Sequence, residues 1–67
     1  MEENLYGRRI RAFRKLKRVQ QVAFAKRLGV STTVLGRIER GEKMPTEELL
    51  LKIAQELQID INELKGN

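Results

Sequence analysis

The sequence predicts an all-α fold of four to five short helices, and three observations carry that reading. Apolar residues recur at i, i+3, i+4 and i+7 in several windows. Ser31, Thr46 and Asp60 stand immediately ahead of such windows, where a side-chain oxygen caps the free amides of a first helical turn. No run alternates apolar and polar residues as a half-buried strand does. The chain's 67 residues predict one domain over positions 1–67. A chain of that size buries only about 60% of the surface it exposes when unfolded, which leaves no room for a large catalytic cleft.

Taken in order, Tyr6, Ile10, Phe13 and Lys17 fall at helical spacing with Leu16 alongside, predicting a first helix over residues 5–17 whose apolar stripe lies opposite its arginines. A second helix from about Gln21 to Leu28 turns Phe24, Ala25 and Leu28 inward and stops at Gly29, the residue best able to adopt the left-handed conformation. Ser31 caps a third, short helix that carries Leu35 and Ile38 inward and ends at Gly41. Thr46 caps a fourth over residues 47–57, with Glu47 and Glu48 suited to its positive end and Leu50, Ile53, Ala54 and Leu57 on one face. Asp60 and Glu63 have capping-box spacing for a last turn or two, from which Leu64 folds onto the core with Ile59. The single Pro and the five Gly read as punctuation between helices.

Charge is distributed unevenly. Residues 1–43 hold 12 Lys or Arg against 4 acids, whereas residues 44–67 hold 2 against 5. Seven of the cations, Arg8, Arg9, Arg11, Arg14, Lys15, Lys17 and Arg18, fall within eleven residues containing no acid. Charge alone leaves two readings open, a footprint for a polyanion or a solvated helix face. The absence of Cys and His from the sequence excludes disulfides and thiolate or imidazole metal sites, and no cofactor is expected. There is no apolar run long enough for a membrane span and no signal-peptide order at Met1, Glu2, Glu3 and Asn4, so a cytoplasmic protein is expected. An enzyme is not: the sequence offers no glycine-rich phosphate loop, and its carboxylates sit at caps and in ion pairs.

The informative segment is residues 21–41, QVAFAKRLGVSTTVLGRIERG. Two helices separated by only Gly29, Val30 and Ser31 must cross steeply, with Ala25 supplying the small contact residue one turn before the glycine. Leu35 and Ile38 then point into the crossing. Thr32, Thr33, Gly36 and Arg37 are left on an outer face of the size a major groove admits.

With these residues in place, the chain resembles the lambda-repressor-like (Xre/Cro type) helix-turn-helix domains over residues 7–64. The resemblance rests on Gln21, Ala25, Gly29, Leu35 and Ile38 at that family's intervals. It rests equally on the helix-one pattern GRRIRAFRK, the Ile-Glu-Arg-Gly ending of helix three, the Pro45-Thr46 entry to helix four, and LLKIAQEL. It implies a transcriptional regulator, read as a repressor, that binds double-stranded DNA sequence-specifically as a homodimer on a palindromic operator. Implied base contacts are Thr32, Thr33, Gly36 and Arg37; implied phosphate contacts are Gln21, Ser31, Arg40, Lys43, Lys17 and Arg18.

Arg37 is the strongest candidate for direct readout, because its planar fork matches guanine O6 and N7; pairing with phosphate only is the plainer alternative. Gln21 is implied both to meet a phosphate and to brace the first residue of helix three, against the plainer reading of a solvated residue at a helix start. Gly36 is either a site of close approach to the duplex or a tolerated imperfection, since a helical glycine costs about 0.5–1 kcal/mol relative to alanine. Arg14 and Glu39 are implied to form a structural ion pair that holds the third helix at its angle.

The sequence departs from the family pattern in three respects. Gln20 stands where relatives place a Thr or Ser cap, Val22 with Val19 puts apolar groups near the start of helix two, and Glu47 replaces an apolar residue for which Leu49 can compensate. By analogy the dimer surface would involve Leu57, Ile59, Ile61 and Leu64. The competing reading is an antitoxin-like module on the same fold that contacts a protein through Val19, Val22 and Tyr6 while repressing its own operon. A third, RNA or general polyanion binding through helix one, lacks the aromatic platforms of single-strand binders.

Overall fold

The computed structural model describes residues 5–66, in which five α-helices follow one another: α1 Leu5–Leu16, α2 Gln21–Leu28, α3 Thr32–Glu39, α4 Glu47–Leu57 and α5 Ile61–Lys65. Side-chain caps set the starts of α3, α4 and α5. At α3 the Ser31 hydroxyl accepts from the Val34 amide at 3.0 Å, and at α4 the Thr46 hydroxyl accepts from the Leu49 amide at 3.1 Å. Gln20 occupies the cap position of α2 in extended conformation but makes no side-chain cap bond, so that end lacks a stabilising contact worth about 1 kcal/mol. Asp60 accepts from the Asn62 amide at 2.8 Å; the Glu63 amide goes instead to the Asp60 carbonyl oxygen, so the expected capping box is replaced by a cap on the second residue of α5.

Helix ends are equally well defined. Gly29 closes α2 at φ 76°, and the Val30 amide returns to the Ala25 carbonyl at 3.0 Å. Gly41, at φ 81°, does the same after α3, where the Glu42 amide reaches the Arg37 carbonyl at 2.8 Å. Two further ends use residues that adopt this conformation less readily: Arg18 at φ 60° after α1 and Gln58 at φ 58° after α4.

Packing joins the helices around one core. α3 lies against α1 and α2, α4 supports α2, and α5 closes over α1 and α4. Ile10, Phe24, Leu35, Ile38, Leu50, Ile53, Leu57 and Leu64 are fully buried, so each helix contributes at least one side chain to the same interior. Burying a side chain of this kind stabilises by about 1.5–3 kcal/mol, against the chain entropy lost. Leu49 packs against this core, while its neighbour Glu47 turns outward to Lys65 at 2.8 Å.

Two expectations for α1 need correction. Leu16 is 71% exposed, because it falls about a third of a turn away from Ile10 around the helix and outside the stripe formed by Tyr6, Ile10 and Phe13. The helix also stops at Leu16, leaving Lys17 in the turn; the buried residue at this end is Arg14. A third correction concerns glycine. Gly7 is not punctuation but lies inside α1, where a methyl group would collide with the backbone oxygens of Ile38 and Glu39. The missing side chain is what lets α1 cross the end of α3 at backbone distance.

Candidate nucleic-acid interface

The corner between α2 and α3 presents α3 outward. With Leu35 and Ile38 fully buried, Thr33 and Arg37 are exposed and Thr32 is half-buried. Gly36 does not join them. It is buried, and a methyl group on it would lie 3.2 Å from Arg40 Nη1 and 3.7 Å from Gln21 Nε2. The expected outer-face role for Gly36 is therefore replaced by a packing one: its bare backbone seats the ends of two flexible side chains.

Behind this face lies a buried polar cluster. Arg14 Nε donates to Glu39 Oε2 at 2.7 Å and Nη2 to Oε1 at 3.1 Å, a forked pair in which Arg14 is 7% and Glu39 5% exposed. Arg14 Nη1 donates to the Val19 carbonyl at 2.9 Å, fastening the turn between α1 and α2 to the same guanidinium. Gln21 Nε2 donates to Glu39 Oε1 at 3.1 Å. Gln21 is thus tied to the last residue of α3, not the first as the resemblance implied, because its side chain leans across Gly36. One N–H of its amide and its carbonyl oxygen stay available. No buried side-chain nitrogen or oxygen among the described residues lacks a partner, so the cluster holds the crossing angle of α3 without an uncompensated charge.

The end of α3 carries a second, exposed cluster that sequence reasoning missed. Glu42 accepts from Arg40 Nε at 3.1 Å and from Arg40 Nη2 at 3.3 Å, and its Oε1 lies 4.0 Å from Arg37 Nε. The Arg40 hydrogen bonds, and then its charge, hold the Glu42 carboxyl below its ordinary pKa, and the same contacts raise Arg40. The only sequence signal was an acid one residue after Gly41; the left-handed turn there brings it back over the helix end.

The other phosphate candidates are exposed. Ser31 is exposed, its hydroxyl engaged as the α3 cap, and Lys43 is exposed in the following loop. Lys17 and Arg18 are exposed in the turn after α1. Arg9 is drawn away: its guanidinium lies against Gly66 beyond the C-terminal end of α5. The protein-contact patch suggested by Val19, Val22 and Tyr6 is reduced, since Val19 and Tyr6 pack against the core and only Val22, 60% exposed, stands clear. The analogous dimer surface changes likewise, because Leu57 and Leu64 are interior and Ile59 and Ile61 lean on the core.

A steep two-helix corner with a solvent-facing second helix, set beside a basic turn, defines a DNA-reading element. Comparison with known proteins agrees. Residues 10–64 match the helix-turn-helix family. The chain is 50% identical over 64 residues to the uncharacterized HTH-type transcriptional regulator YazB of Bacillus subtilis, covering 96% of this chain and 93% of that one. It is 41% identical over 58 residues to repressor protein C2 of Salmonella phage P22, matching 87% of this chain but 27% of that longer protein. The crystal structure of the P22 c2 repressor in complex with a synthetic operator superposes with a TM-score of 0.84 and 41% identity, covering 94% of this chain and 97% of that one. This chain belongs to the helix-turn-helix family of DNA-binding transcriptional regulators.

Proposed function

We propose that this protein is a transcriptional repressor that reads a palindromic DNA operator by placing α3 in the major groove. The observation that supports this most is the exposure of Thr33 and Arg37 on a helix whose opposite face is wholly interior, in a fold that matches a repressor bound to its operator. Arg37 is assigned to a guanine edge, with Thr32 and Thr33 at neighbouring bases or thymine methyls. Gln21, through its remaining N–H, and Ser31, Arg40, Lys43, Lys17 and Arg18 are assigned to phosphates, where they fix register without reading sequence.

Dimeric binding follows from reach. The eight residues of α3 extend about 12 Å, which covers roughly three to four base pairs at about 3.4 Å per step. One copy therefore reads too little sequence to select an operator, and two copies on half-sites about one helical turn apart read enough. The repressor acts by occupancy, in the cytoplasm where the DNA lies, and no described helix is long and apolar enough to cross a membrane.

The test is selection of bound duplexes from a random library with the wild-type protein and with Arg37→Ala. The expected result is one enriched inverted repeat, with preference lost at a single base pair per half-site in the variant. The lost contact corresponds to about 1–3 kcal/mol of discrimination at that position. An enriched motif that Arg37→Ala leaves unaltered would remove Arg37 from the reading set.

A further inference from the structure

Three half-exposed side chains at the end of α3 are arranged in a way that bears on how the repressor rejects wrong DNA. Arg37, in the last turn of α3, and Arg40, its C-cap, are three residues apart and have side chains 53% and 61% exposed. Between them stands Glu42, 51% exposed, held in place by its own backbone: its amide donates to the Arg37 carbonyl at 2.8 Å in the turn that Gly41 makes. Both carboxylate oxygens accept from Arg40, at 3.1 and 3.3 Å, and Oε1 reaches to 4.0 Å from Arg37 Nε. The carboxylate thus offsets one of the two cations that the recognition helix offers to DNA.

We propose that Glu42 is a specificity-determining residue that sets the ratio of operator to non-specific binding by competing with phosphate for Arg40 and Arg37. The inference rests on the proposed DNA reading. Non-specific binding is almost entirely cation–phosphate attraction, so an acid fixed beside the two cations weakens it directly. A phosphate approaching Arg40 meets a guanidinium whose Nε and Nη2 already donate to the carboxylate, which leaves it the Nη1 side, and a like charge next to it. At the operator, Arg37 has a base edge to meet, and a forked hydrogen bond to guanine displaces a contact as long as 4.0 Å. The same carboxylate therefore costs the wrong site more than the right one. The lowered pKa of Glu42, set by the Arg40 hydrogen bonds and charge, fits this arrangement, since it keeps the group charged where the protein would meet DNA.

The test compares the wild-type protein with Glu42→Gln, which keeps the shape and the backbone hydrogen bond donated to the Arg37 carbonyl but removes the charge. Each is titrated against the operator found by selection and against a scrambled duplex, at several salt concentrations. Glu63→Gln, on α5, serves as a control that removes the same formal charge outside the cluster. Melting temperature and helical circular dichroism establish that all three proteins are folded. Glu42→Gln is expected to bind the scrambled duplex about five- to tenfold tighter, the scale of one like charge removed from beside a phosphate in a high-dielectric setting. Its log–log salt dependence should steepen by about 0.9, as for one more phosphate neutralised. Operator affinity should rise less, so that the ratio falls, while Glu63→Gln changes little.

An equal gain on both duplexes, a gain matched by Glu63→Gln, or no gain on either overturns the role given to Glu42. Weaker operator binding by Glu42→Gln overturns it too, because Glu42 would then contact DNA favourably. Those results leave the DNA-reading function standing if the wild-type protein selects a motif. A wild-type protein that prefers no duplex sinks both.

Discussion

Replacing Gly7 with alanine tests the claim that a bare backbone in α1 sets the position of the recognition helix. A methyl group built on Gly7 lies 2.8 Å from the Glu39 carbonyl oxygen and closer still to that of Ile38, where ordinary contact begins at about 3.4 Å. Neither obstacle is a side chain that can swing aside; both are carbonyls at the end of α3. The helices must therefore separate, loosening the seats of Ile10 and Ile38. Overpacking an interior costs about 1–3 kcal/mol, and fixed backbone places this site at the upper end. Alanine returns about 1 kcal/mol in helix propensity, so the net loss is about 2 kcal/mol.

Gly36→Ala supplies the matched comparison. It gains the same propensity, but its methyl group meets only the ends of Arg40 and Gln21, at 3.2 and 3.7 Å. Both can yield, and the expected gain is about 0.5–1 kcal/mol. Thermal unfolding by circular dichroism should lower the melting temperature by roughly 8–16 °C for Gly7→Ala and raise it by roughly 2–8 °C for Gly36→Ala, at about 4–8 °C per kcal/mol in a domain this small. A Gly7→Ala protein as stable as wild type would refute the close crossing, as would two alanine variants that shift in the same direction.

Three further outcomes follow from the geometry. Glu39→Gln leaves the Arg14 guanidinium buried without a counter-charge and should destabilise by about 3 kcal/mol in chemical denaturation; the apolar double variant Arg14→Met with Glu39→Leu should be more stable than Glu39→Gln, and a double variant that is worse would count against the desolvation argument. Gln20→Ser supplies the cap that α2 lacks and should add about 0.5–1 kcal/mol, seen as a higher melting temperature; no change would mean the α2 amides are already satisfied by solvent. Glu42 should titrate below its ordinary value by carboxylate NMR and return to it in Arg40→Gln. Because its folded value is depressed, its small contribution to stability is present above the unfolded value and disappears as pH falls through the folded one; a normal midpoint in the wild-type protein would dismiss the Arg40 clamp.

How much of this was legible in sequence depends on how far apart the interacting residues are. The bounds of α2 and α4 could be read directly, because periodicity combines with a terminating left-handed glycine after α2 and a capping threonine before α4, each acting within a few residues. The core face of α4, Leu50, Ile53, Ala54 and Leu57, followed from the same spacing. The end of α1 was less legible: Arg18 adopts a conformation that its residue type disfavours, so nothing local announced the turn.

By itself, the sequence determined which segments are helical, which face of most of them is apolar, that the cations are concentrated in residues 1–43, and that Gly29 bends the chain between α2 and α3. These depend on local propensity and on the 3.6-residue repeat, which need no knowledge of neighbours. Only the tertiary structure decided that Gly7 lies under α3, that Gln21 is tied to Glu39, that Gly36 is covered, and that Glu42 folds back between Arg37 and Arg40. The first three depend on how one helix crosses another, across separations that include the 18 residues between Gln21 and Glu39 and the longer stretch from Gly7 to Ile38 and Glu39. The last is near in sequence, yet it exists only because a left-handed glycine reverses the chain, and the direction in which a side chain then points is a property of space and not of spacing.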